Sequence, residues 1–130
     1  MKVVIAGTRT FVDKVMFEKG MAECPFASSI KTVLHGAATG ADQLAGQWAA
    51  ERGITVIAFP VTPLDWRTLG KKAGPLRNIR MIDQTDAYIG FWDGISPGTK
   101  QGIEYATKLL LPVYVYRIDK PEQGLEKYME

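Results

Sequence analysis

Short apolar runs alternate along this chain with stretches in which apolar residues return every three or four positions. Val3 to Ala6, Thr32 to Leu34, Ile54 to Phe59, Ala87 to Trp92 and Val113 to Tyr116 are the runs. Such near-continuous apolar segments predict strands buried on both faces, as parallel sheets bury theirs. Between them, Phe17, Gly20, Met21 and Cys24 recur at helical spacing after Asp13, a natural N-cap, and before Pro25. Ala41, Leu44, Ala45, Trp48 and Ala49 form a second stripe between Gly40 and Gly53. Pro75 is placed to open a helix with Leu76, Ile79 and Ile82 facing inward, and Ile103, Ala106, Thr107 and Leu110 make a last stripe before Pro112. The segment "PVTPLDWRTLGKKAG" reads as an unusually long loop, and the tail "DKPEQGLEKYME" as a short helix or a frayed end.

This alternation predicts an α/β fold: a doubly wound, mainly parallel sheet of about five strands with helices on both faces. The 130 residues fit one domain over 1–130, and 46% hydrophobic with 23% charged residues is ordinary globular composition. A net charge of +2 is too small to imply nucleic-acid binding through bulk charge. One cysteine, Cys24, without a CxxC or Cys/His spacing, argues against a disulfide framework and structural zinc. No metal and no resident cofactor is expected. The apolar run in "MKVVIAGTR" is too short for a signal-peptide core or a membrane span, so the expectation is a cytoplasmic protein with no membrane partner.

In an open parallel sheet, ligands bind beyond the carboxyl ends of the strands, on the edge built by the strand-to-helix turns. Three of those turns carry glycine beside a hydroxyl residue: Gly7 with Thr8, Gly36 and Gly40 with Thr39, and Gly98 with Ser96 and Thr99. That combination suits an anion, because glycine lets backbone N–H groups approach it and a helix N-terminus adds partial positive charge. A single turn of this kind is common for purely structural reasons; three on one edge point to a ligand. Neither a Walker A motif nor a clean GxGxxG is present. Asp42, in the first turn of a helix, serves equally as a structural carboxylate or as a contact to a ligand hydroxyl. His35, the only histidine, has no evident partner and reads as structural.

The stretch "WRTLGKKAGPLRNIRM" gathers Arg67, Lys71, Lys72, Arg77 and Arg80 around Trp66, a mixture suited to stacking on a base and pairing with phosphate. Lys71 and Lys72 fit a solvated helix start as well. Arg77 and Asn78, in the first turn of a helix on the ligand edge, are the stronger site residues, and Arg9, after Gly7, is a weaker one.

The motifs "AGTRTF", "HGAATGAD", "AGPLRNIRM" and "FWDGISPGTKQGIEYA", in this order, resemble the YspA/YpsA-related branch of the SLOG superfamily, whose relatives include DprA/Smf proteins and LOG cytokinin-activating hydrolases. The resemblance spans Lys2 to Tyr116. It implies a Rossmann-like fold, a site for a nucleotide or nucleotide-derived ligand such as a nucleotide sugar or NAD derivative, and, on its own authority, a homodimer. In the LOG pattern an upstream arginine accompanies a glycine-rich turn ending in Gly-Thr, and a glutamate follows three residues later. Arg77, Gly98 and Thr99 match that pattern, whereas Gly102 stands at the glutamate position. Glu104, two residues on, lies about 200° around a helix.

Ligand binding or sensing is therefore the leading expectation. The alternative is a nucleoside-monophosphate phosphoribohydrolase in which Asp42 or Glu104 replaces the missing acid. A third reading is DprA-like binding of single-stranded nucleic acid, against which the near-neutral charge weighs.

Overall fold

The structure, a computed structural model, describes residues 1–128. Strand and helix alternate as β1 (Lys2–Gly7), α1 (Lys14–Ala22), β2 (Thr32–His35), α2 (Ala41–Glu51), β3 (Thr55–Ala58), α3 (Pro63–Leu69), α4 (Ala73–Ile82), β4 (Ala87–Trp92), α5 (Pro97–Lys108), β5 (Val113–Arg117) and β6 (Leu125–Lys127). They form one sheet in the order β3-β2-β1-β4-β5-β6. The first five strands are parallel and β6 closes the edge antiparallel to β5. This is the expected doubly wound, Rossmann-like α/β fold.

The period of two in β1 explains the two-sided core. Val3 and Ile5 point to one face and join Phe17, Met21, Leu44, Ala45 and Trp48 from α1 and α2. Val4 points to the other and meets Met81, Ile82, Ile103 and Ala106 from α4 and α5. On the first face Phe91 stacks on Phe17 at 4.5 Å and Phe11 at 5.7 Å between ring centroids. After β1 the chain winds toward β2 and β3, and after α4 it returns to β4 on the opposite side of β1. Winding therefore reverses between β1 and β4, and the connections above their carboxyl ends part there to leave a crevice.

Several expectations need correction. The long loop contains a helix: Thr62 caps α3, its Oγ1 accepting from Asp65 N at 3.1 Å while Asp65 Oδ2 accepts from Thr62 N at 2.9 Å. No residue of α3 is buried, so the apolar stripe that would have announced it is missing. A further helical turn over Gly70–Lys72 leads directly into α4, which starts at Ala73 rather than Pro75. Pro75 sits in the first turn, where its missing N–H costs nothing. Leu76 and Ile79 are only half-buried; Ala73, Met81 and Ile82 make the inward face.

β3 differs too. It is shorter than Ile54 to Phe59 and exposed along its length, because no strand lies beyond it. Leu110 falls outside α5, 91% exposed and at φ 62°, so the stripe ends at Ala106 and Thr107. The tail forms a helical turn over Pro121–Gln123 and then β6, anchored by Leu125 N donating to Glu23 Oε1 at 3.1 Å. Its last two residues lie outside the described residues.

Candidate functional site: a cleft at the carboxyl edge of the sheet

A cleft of about 670 Å³ opens where the winding reverses. Gly7, Thr8 and Arg9 from the β1–α1 turn, Gly36 and Asp42 from the β2–α2 turn, and Ser96, Gly98 and Thr99 from the β4–α5 turn line it. Arg77 and Asn78 of α4 form a wall, with Trp66 and Lys71 beside them. Two predicted residues do not line it. Thr39 Oγ1 donates to the Arg9 carbonyl at 3.1 Å, and Gly40, at φ 75°, lies against the Thr8 and Arg9 carbonyls. Both hold the first two turns together. Glu104 is also absent from the cleft; it borders a separate hollow of about 430 Å³ with Trp92, Lys100 and Lys108. The helical period already pointed it away.

The β2–α2 turn is filled by its own side chains. Asp42 Oδ2 accepts from Gly36 N and Ala38 N, each at 3.1 Å, and His35 Nδ1 accepts from Ala37 N at 3.0 Å. Three successive amides, a ready anion nest, are thereby satisfied from within. Ala37 is held at φ 58°, strained for a residue with a Cβ. The first amide of α2 is used as well, Ala41 N donating to the Thr8 carbonyl at 3.3 Å. Burial holds the Asp42 carboxyl above its usual range, outweighing the two amides and the His35 and Arg77 charges. Burial likewise holds His35 below its usual range, favouring the neutral ring that can accept from Ala37.

The β4–α5 turn also carries its own carboxylate, but ahead of its helix. Asp93 Oδ1 accepts from Ile95 N at 2.8 Å and Ser96 N at 2.7 Å, and its Oδ2 accepts from Ser96 Oγ at 2.9 Å. Burial pulls the Asp93 carboxyl upward, but these bonds together outweigh it and the net shift is downward. Asp93 also donates its N–H to Thr8 Oγ1 at 3.2 Å, which lies 3.3 Å from Ser96 Oγ. The carboxylate is thus spent on the turn before the helix. Pro97 has no N–H, Ser96 does not cap with its side chain, and among the described residues the N–H groups of Gly98 and Thr99 have no partner. A twelve-residue helix therefore presents its positive end to the cleft.

Arg77 clamps the wall. Its Nη1 donates to the carbonyls of Gly36 and, at 3.0 Å, Phe59, and its Nε to Asn78 Oδ1 at 2.8 Å. Asn78 Nδ2 passes the chain on to Gln101 Oε1 at 2.9 Å. A Cβ at Gly36 would stand 2.6 Å from Arg77 Nη1, so a side chain there would have to push the guanidinium aside. Sequence reasoning expected Arg77 to face the ligand edge, and the structure sets it on the cleft wall; its bonds to the ends of β2 and β3 were not anticipated.

It also missed Tyr88 and Gln101. Tyr88 is 1% exposed, and its ring fills the space a side chain at position 102 would take: a Cβ on Gly102 would lie 2.5 Å from Tyr88 Oη. The available signal was the pairing of a polar-tipped ring inside an apolar strand with a glycine on the facing helix.

A model of the YspA, cpYpsA-related SLOG family matches residues 1–68. The Gene 61 protein of Mycobacterium phage D29 is 37% identical over 126 residues, spanning 92% of this chain and 98% of that protein. The chain belongs to the YspA, cpYpsA-related SLOG family. Two solved structures share the SLOG fold. DNA processing protein A (DprA) from Streptococcus pneumoniae superposes with a TM-score of 0.68 at 19% identity, over 88% of this chain and 49% of that one. This chain thus spans about half of that DprA. TM1055, a structural-genomics target, gives 0.64 at 22% identity over 86% of this chain and 71% of its own. At these identities the likeness carries the fold alone. SLOG membership supports a nucleotide-related function in general. Among the described residues no helix is long and apolar enough to cross a membrane.

Proposed function

We propose that this SLOG protein binds a nucleotide or nucleotide-derived ligand in the cleft, with its phosphate on the N-terminus of α5. The observation that carries this reading is the pair of free amides at Gly98 and Thr99, open to the cleft beside the hydroxyls of Thr8 and Ser96. Helix-end amides and a favourable dipole are the ordinary means of holding phosphate without a metal. Arg9, exposed on the opposite turn, adds mobile positive charge, and Trp66, 48% exposed, offers an aromatic face to a base. Thermal denaturation against nucleoside mono- and diphosphates, nucleotide sugars and NAD derivatives tests it. A ligand at about 100 times its Kd stabilises by about 2.7 kcal/mol, and a hit competed by inorganic phosphate is the expected result. No shift with any phosphorylated compound would overturn the reading.

Hydrolysis of the ribose–base bond is a second reading, favoured by one feature: a buried carboxyl on the cleft wall, Asp42, held above its usual range as general acids are. Weighing against it, Tyr88 fills the space at Gly102 from which the LOG-type glutamate would act. Nucleoside monophosphates incubated with the protein should release no free base by chromatography. Release that disappears in Asp42→Asn would make Asp42 the acid. Single-stranded nucleic acid would meet one aromatic face, Trp66, and the few cations Arg9, Lys71 and Arg77 at this cleft, a small footprint for a strand, and binding to it is expected to be weak at physiological salt.

A further inference from the structure

The second hollow, on another flank of α5 from the cleft, has no part in the phosphate reading. Its volume is about 430 Å³, and Trp92, Lys100, Ile103, Glu104, Lys108 and Tyr128 line it. It exists because β5 leads into a helical turn and β6 rather than into another helix, so among the described residues no helix covers the sheet beyond α5 on this face. Buried Ile103 gives it an apolar base. Trp92 is a fixed wall: its Nε1 donates to the Ser96 carbonyl at 3.1 Å, and the Arg117 guanidinium lies over the ring, 5.4 Å from its centroid. Arg117 is itself held by Asp119, Nε donating to Oδ1 at 2.8 Å and Nη2 to Oδ2 at 2.7 Å. Tyr128, whose N–H donates to the Val113 carbonyl at 2.7 Å, brings a second, half-exposed ring. Lys100, Glu104 and Lys108 return every four residues along the exposed flank of α5, about 12 Å from first to last. Among the described residues none of the three forms an ion pair, so the hollow holds one positive charge in excess.

We propose that this hollow is a second binding site, separate from the cleft, for a small aromatic carboxylate. The ring lies against Trp92, Ile103 and Tyr128, and the carboxylate meets Lys100 or Lys108. The volume falls at the small end of the range for small-molecule pockets and suits one or two fused rings. An aromatic ligand is favoured because the Trp92 ring is already held in place, so stacking on it orders no further side chain. A single negative charge is favoured because both lysine ammoniums are unpaired, while Glu104 between them opposes a dianion. The same carboxylate sets the site apart from the cleft, where phosphate is the expected anion.

The experiment follows the tryptophan indole N–H signals by nitrogen–proton correlation NMR, with Trp92→Phe and Trp66→Phe assigning the signals of the hollow and of the cleft. The probes are naphthalene-2-carboxylate, its neutral carboxamide and naphthalen-2-ylmethylammonium, each titrated with and without inorganic phosphate. The expected result is a saturable shift of the Trp92 signal by the carboxylate, unaffected by phosphate, while the Trp66 signal stays in place. The carboxylate should bind about fivefold or more tightly than the carboxamide, as two partly exposed charges allow. Lys100→Gln combined with Lys108→Gln should bring the two to near parity without lowering the melting temperature, since both side chains are exposed. Equal affinity of carboxylate and carboxamide for the wild type overturns the proposal, as does a preference for the ammonium, which would give the hollow to Glu104. Shifts confined to Trp66, or removed by phosphate, put the probe in the cleft and overturn it too. A Trp92 signal that does not move up to about 10 mM carboxylate leaves no site there. None of these outcomes bears on the phosphate reading, whose test is the nucleotide screen.

Discussion

The β2–α2 and β4–α5 turns look alike in sequence, each running from strand through glycine and threonine into a helix, yet they place their own carboxylates differently relative to the helix start. At the second position of α2 stands Asp42, whose carboxylate takes the amides of Gly36 and Ala38. At the second position of α5 stands Gly98, and the neighbouring carboxylate, Asp93, is occupied with the turn behind it. Each turn carries its own carboxylate; the one at α2 stands on the first turn of the helix, whereas the one at α5 stands ahead of it and leaves the helix start facing the cleft without a side-chain charge. A glycine-rich turn is therefore better suited to an anion where its own carboxylate stands away from the helix start.

The largest expected effect is on the closed turn. Asp42→Ala strips one buried and one part-buried amide of their acceptor, and urea denaturation should show a loss of about 1–3 kcal/mol, within the range for unsatisfied buried groups. Asp42→Asn keeps an acceptor oxygen and should cost far less. If both variants are equally harmful, the charge of Asp42 rather than its hydrogen bonds holds the turn.

Arg77 comes next. Its bonds to the Gly36 and Phe59 carbonyls predict that Arg77→Ala loses about 1.5–3 kcal/mol of stability even without ligand, and that Arg77→Lys restores only part of it. An unliganded protein indifferent to Arg77→Ala would make this residue a ligand contact and nothing more.

A smaller effect follows from pH. His35 is held below its usual pKa of 6.5 in the fold, so the unfolded chain takes up its proton first as pH falls. Its contribution is complete above 6.5 and is lost as pH drops from there through the folded value. Asp42 runs the other way: raised above 3.8 in the fold, it contributes most below 3.8 and that contribution is lost as pH rises through its folded pKa. Removing the histidine by His35→Asn should flatten the fall in stability just below pH 6.5, measured as denaturation midpoints across pH 5–7.5. A slope unchanged by the substitution would show that His35 titrates alike in both states.

Much of the architecture was legible because it depends on local pattern. The strand runs, the Asp13 cap and the Ala41-to-Ala49 stripe each act within a few residues, and the structure follows them. α3 was not legible: its capping pair is Thr62 with Asp65, and without a buried face only that pair marked it. The edge position of β3 was equally hidden, since strand order is decided by crossovers and not by composition. For the cleft, the turn residues were readable as a group, because a parallel sheet brings its strand-to-helix turns to one edge. Their occupancy was not. Whether Asp42 closes its own turn, where Arg77 spends its donors, and that Tyr88 fills the space left at Gly102 are long-range facts, set by contacts between segments that sequence spacing does not relate.

The central claim is that open helix amides on α5 hold the ligand's phosphate, and Gly98→Asp tests it most directly by giving α5 the carboxylate that α2 already has. A Cβ at Gly98 meets no other atom within 4 Å, so the substitution should fit. The added charge at the helix start should leave unliganded stability unchanged or raise it by about 0.3–1 kcal/mol. Calorimetry with the best-binding nucleotide from the thermal screen should then show affinity falling at least about tenfold, the loss of a charge-assisted contact. A folded Gly98→Asp protein that binds the nucleotide as tightly as wild type would contradict the account and move the phosphate elsewhere in the cleft.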